Sequence, residues 1–156
     1  MTIQAFRPFD SLQVMAYIIK RCDQKGIYVN ITKLQKLLYC CYGVVLAKFG
    51  VRLTDEHPEA WQYGPVFPET LRSIQFFGKE AFLQKETPDV DAAPAEMRAL
   101  IDATLEHFGQ HTALKLSNWT HLPGSPWSKT SRDGQFFFDD LDDDDIKTYF
   151  SEKVLA

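Results

Sequence analysis

The chain has 156 residues and a formal net charge of −4, a length that fits one domain with a sizeable core. Hydrophobic residues make up 45% and charged residues 24%, the balance of an ordinary globular protein, and the acidic excess offers no footprint for nucleic acid while suiting a basic partner. The cysteines are Cys22, Cys40 and Cys41, an odd set without a Cys-x-x-Cys pair, which excludes a disulfide framework or zinc ribbon and fits a reducing cytoplasm.

The N-terminus, Met1 to Phe9, lacks the basic region and apolar core of a signal peptide. No apolar run approaches a membrane span. The expected location is cytoplasmic.

A first helix is expected from Asp10 or Ser11, both good N-caps, to about Gln24. Leu12, Met15, Ile18, Ile19 and Cys22 form its apolar stripe. After a short linker, Asn30 or Thr32 caps a second helix that stops at Gly50. Its residues Leu34, Leu37, Leu38, Cys41, Tyr42, Val45, Leu46 and Phe49 make an unbroken helical stripe, so it is expected to be the central core helix.

A brief strand is expected near Ala60 to Tyr63, and a third helix from Pro68 to Phe77. Residues 84–94 are polar and proline-bounded and read as a soft loop. A fourth helix runs from about Pro94 to Phe108, and a short fifth from Thr112 to about His121. Residues 125–138 read as irregular or partly extended, with Gln135 to Phe138 a candidate strand. A last helix is expected from about Asp142 to Val154. The fold class is therefore mainly α, a single compact domain of about six helices with at most a small β element.

The most constrained stretch is Glu59 to Glu69. Trp61 and Tyr63 precede Gly64-Pro65, Phe67 follows, and Pro68 sits where a helix would start. Gly64 reaches backbone angles closed to other residues, and Pro65 fixes its own φ. Pro68 has no N–H to leave unpaired in a first turn. The segment reads as a rigid, aromatic-walled entry into a helix.

Upstream lies Leu34-Gln35-Lys36-Leu37-Leu38-Tyr39, continuing to Leu46-Ala47-Lys48-Phe49-Gly50. Downstream lie Leu116-Ser117-Asn118-Trp119-Thr120-His121 and then Gly124-Ser125-Pro126-Trp127. In that order and at those separations, with the aromatic entry between them, the blocks resemble the SocA-like antitoxin family and its Panacea domain, a group that includes phage-associated proteins of the GepA type. The resemblance covers about residues 10–150, leaving 1–9 and 151–156 as short extensions. It implies an antitoxin, not an enzyme, that neutralises a toxin encoded beside it by direct binding. It also admits an adaptor that delivers the toxin to a cellular protease. The chain reads as the bare domain, with no appended DNA-binding module expected, which weighs against operon autoregulation by this chain.

The residues themselves supply candidate contacts. Trp61, Tyr63 and Phe67 read either as core or as interface anchors on a rigid turn, and Trp127 has the same two readings. In an extended segment Phe137 faces away from Phe136 and Phe138 and needs a second layer or a partner. Asp139 to Asp145 contains six aspartates in seven positions. It lacks the spacing of a calcium loop and reads as a solvated helix start or an acidic strip that covers a basic toxin. Asp142, Asp143, Asp144 and Asp145 join the aromatics as candidate toxin contacts. Gly64, Pro65, Pro68, Ser117, His121 and Pro126 are read as structural, with Ser117 and His121 tying the short helix to the Gly124-to-Trp127 turn.

A different class of function would be a hydrolase using His121. No activated nucleophile or orienting acid accompanies it. His107 and His111 are four apart, but Gly109 between them is expected to end the helix they would share. No metal or other cofactor is expected. A third class is a nucleic-acid-binding regulator, since the first two helices mimic a helix-turn-helix. The second of them offers only Lys33, Gln35 and Lys36.

Overall fold

The computed structural model describes residues 6–155. Met1–Ala5 and Ala156, parts of the expected extensions, lie outside the described residues. Phe9, also assigned to an extension, is buried and pairs its backbone with Leu53 and Asp55.

Nine helices and one two-stranded sheet occur among the described residues. The six expected helices are α1 (Ser11–Lys25), α2 (Ile31–Phe49), α3 (Pro68–Phe77), α6 (Ala95–Phe108), α7 (Ala113–Thr120) and α9 (Asp143–Lys153). Asp10 caps α1, Asn30 caps α2, and Gly26 and Gly50 end them in the left-handed region. The sheet pairs β1 (Glu59–Trp61) with β2 (Gly64–Val66) in antiparallel register, Ala60 opposite Pro65.

Three short helices were not expected. α4 (Lys79–Leu83) follows Gly78 directly. α5 (Pro88–Asp91) falls in the segment read as a soft loop. Val90 and Ala93 there are buried, and the Gln13 side chain accepts from the N–H groups of Asp89 and Val90. Two apolar side chains and one long-range amide anchor were enough to order that segment. α8 (Pro126–Ser131) replaces the expected irregular stretch. Pro126 opens it, and the Ser125 hydroxyl accepts from Ser128 N–H. Gln135 to Phe138 forms no ladder strand. Phe138 has φ +75, and its N–H and the Asp139 carbonyl each bond Ala60.

α2 occupies the centre. Every residue from Lys33 to Leu46 is buried, so the stripe seen in the sequence is only one side of a helix enclosed all round. It packs most extensively against α9 and α6. Gly43 lets α9 approach this closely: an added Cβ would clash with the fully buried Phe150 ring at its Cε2 edge. Among the described residues, no helix is long and apolar enough to cross a membrane.

Candidate functional site: an aromatic hairpin braced by buried polar groups

The β1–β2 hairpin is held from inside by two polar residues of α2. Gln35 accepts from Phe67 N–H at 2.8 Å and donates to Thr70 Oγ1 at 3.2 Å. Lys36 Nζ donates to Pro65 O at 3.1 Å. Burial lowers the Lys36 pKa to about 8. Gly64 has φ +115, and a Cβ there would stand 2.7 Å from Thr120 Oγ1 and 2.9 Å from Lys36 Cε. Glycine is needed both for its angle and for the space it leaves.

Helix α3 begins without a side-chain cap from Phe67. Its first N–H groups are met instead by Glu56, which accepts from Glu69 and Thr70. Burial raises the Glu56 carboxyl above its usual range.

α7 and α8 brace the hairpin from outside. The two ring nitrogens of His121 face Ser117 O and Gln62 O, and a neutral ring donates to one of them. Its ring lies 3.9 Å from the Trp127 ring centroid. Trp127 Nε1 donates to Trp61 O at 2.7 Å. The tie to the Gly124-to-Trp127 turn thus differs from the expected one. Ser125 Oγ, donating to Thr120 O at 2.8 Å, carries it, while Ser117 contributes only its carbonyl. Among the described residues the hydroxyl that meets the His121 ring is that of Thr120, 3.4 Å from Nδ1. That hydroxyl donates to Ser117 O instead.

The candidate contacts separate by exposure. Phe67 is fully buried, edge-on to Tyr42 with ring centroids 5.7 Å apart, and Trp127 is 5% exposed. These two pack the interior and present no face to a partner. Trp61 is half-buried against Phe138, whereas Tyr63 is 69% exposed. Phe137 packs against the core while Phe136 and Phe138 point out, because the segment loops over β1 rather than running as a strand. Trp61, Tyr63, Val66, Leu71, Phe137 and Phe138 line a hollow of about 590 Å³ floored by Gln35 and Lys36.

The aspartates also separate. Asp142 caps α9 by accepting from Asp145 N–H. Asp143 is inward-facing, accepting from Tyr42 OH at 2.7 Å and Arg52 Nε at 3.0 Å. His57 joins this group, its Nε2 2.7 Å from Leu141 O. Asp145 lies 3.9 Å from Lys129 Nζ, and Asp144 is exposed.

Sequence reasoning missed Gln35, Lys36, Glu56, Arg52 and His57. Lys33, Gln35 and Lys36 are the only residues the second helix offers to a recognition-helix reading. All three are buried, with Lys33 Nζ on Gly109 O at 2.7 Å, so they are not offered to a DNA groove. A two-column apolar stripe hides such residues, because a lysine stem fills apolar space as well as a methionine does.

The family model described as Antitoxin SocA-like, Panacea domain, matches residues 34–128, from α2 through the hairpin and α7 into α8. This chain belongs to the SocA-like antitoxin family. A similar protein is Antitoxin SocA of Caulobacter vibrioides (strain NA1000 / CB15N), 25% identical over 128 residues covering 76% of this chain and 68% of that one. No solved structure matches. The Panacea span contains the hairpin, its Gln35 and Lys36 supports, and the His121–Trp127 brace.

Proposed function

We propose that the chain is an antitoxin that neutralises a cognate toxin, encoded next to it, by direct protein–protein contact. The observation that carries this is membership of the SocA-like family. The surface best suited to the contact is the hairpin side. Tyr63, 69% exposed, stands on a backbone fixed by Gly64, Pro65 and Lys36, and Phe138, 66% exposed, on a segment bonded to Ala60 of β1. Exposed aromatics on a preorganised turn lose little entropy on binding and make good anchors. Asp139, Asp140, Asp142 and Asp144, which follow Phe138 in sequence, are exposed and suit a basic rim on the toxin.

The test is co-expression with the adjacent reading frame, scored by growth and then by co-purification. Rescue with a stable complex supports direct occlusion. Rescue with loss of the neighbour's product supports delivery to a protease instead. Toxicity without rescue would reject the antitoxin assignment for that pair.

A further inference from the structure

Three hollows lie end to end beside the N-terminal half of α2. The 590 Å³ hollow at the hairpin shares Thr32 and Tyr63 with a second of about 430 Å³. The second shares Ala113 and Leu114 with a third of about 650 Å³, which ends at Tyr28. The large apolar side chains along this course stand exposed at its junctions and ends: Phe138 66%, Tyr63 69%, Leu114 71% and Tyr28 75%.

The charge along the course is one-sided. Although acidic residues outnumber basic ones 21 to 17 in the chain, no carboxylate lines any of the three hollows among the described residues. Buried Lys36 and Lys33 line two of them, Lys33 with its Nζ on Gly109 O. Lys36 has three N–H donors and one protein acceptor, Pro65 O. The first turn of α2 carries no acidic residue, so its dipole adds to the same sign.

We propose that this course is the seat of one polypeptide segment of the toxin, bearing apolar side chains spaced to meet Tyr63, Leu114 and Tyr28 and at least one carboxylate directed at the Lys36 end. Charge complementarity selects the occupant: a lysine at the base of a hollow without carboxylates favours an anionic group, and the apolar posts fix its register. The assignment rests on the antitoxin reading above and deepens it.

The test uses the full chain and the product of the adjacent gene. A triple variant, Tyr28→Ser/Tyr63→Ser/Leu114→Ser, alters exposed positions only. Phe76→Ser, 81% exposed and outside the three hollows, is the control. Lys36→Met removes the charge and keeps the stem, with its thermal unfolding measured alongside. The expected result is neutralisation by wild type and Phe76→Ser, and complexes at least about tenfold weaker for the triple variant and for Lys36→Met. Neutralisation and unchanged affinity in the triple variant would overturn the groove while leaving the antitoxin function standing. If Lys36→Met is folded and binds as tightly as wild type, the carboxylate is overturned. If wild type itself neither neutralises nor binds, the antitoxin assignment falls, and the groove assignment with it.

Discussion

The hairpin and the start of α9 are the two segments that stand out in the sequence, and they use their conspicuous residues in parallel ways. In the hairpin, Phe67 turns inward against Tyr42 and Tyr63 turns out. At α9, Asp143 turns inward onto Tyr42 and Arg52, while Asp144 turns out. Tyr42 of α2 meets both inward residues, so one core side chain joins the two segments. The lesson is that a local run of one residue type marks a segment worth attention. Which member of the run holds the fold and which faces out is decided by the helix behind it.

Substitution within each pair separates the inward residue from the outward one. Phe67→Ala should cost the most, about 3–5 kcal/mol, because it empties a fully buried site. Chemical denaturation checks it; a cost under about 1 kcal/mol would show that the site collapses easily. Asp143→Ala should cost about 1–3 kcal/mol, since it leaves the hydroxyl donor of the fully buried Tyr42 unmet and frees the exposed Arg52. Asp144→Ala should stay within about 0.5 kcal/mol. Equal costs for the two aspartates would remove the distinction drawn at α9.

Lys36 gives a pH signature. Burial lowers its pKa from 10.5 to about 8, so between those values the unfolded chain holds a proton that the folded chain has released. Stability from this site therefore rises with pH across that window, by up to about 1.4 kcal/mol per unit. Cys22, raised by burial from 9.0 to about 11, works in the opposite sense, as do the deeper Cys40 and Cys41 thiols. The difference between wild type and Lys36→Met isolates the lysine: wild type should gain on the variant from pH 8 to 10. A flat difference would place the ammonium in a wetter setting. The smallest stability effect is expected for Tyr63→Ser, within about 0.5 kcal/mol, with any loss appearing in toxin affinity instead.

The helical frame was legible because periodicity and caps are local. Asp10, Asn30 and Thr112 each accept the backbone bond that their position suggested. The short helices were not legible, because what orders them is distant in sequence. α5 depends on Gln13, 76 positions upstream of Asp89. The special geometry of Gly64 was visible in its Gly-Pro setting. The polar support beneath it was not, since nothing in Leu-Gln-Lys-Leu-Leu reveals that Gln35 and Lys36 turn toward the hairpin. Phe137 shows the same limit. Its facing opposite to its neighbours was anticipated, yet the inward direction came from the loop closing over β1.

The most direct measurement is amide hydrogen exchange of the chain, free and in complex with the product of the adjacent gene. The account predicts slowed exchange on binding at residues 61–66, the first turns of α2 and α7, and near Tyr28, with α6 unchanged. Slowing confined to α6, or to the outer face of α9, would contradict it.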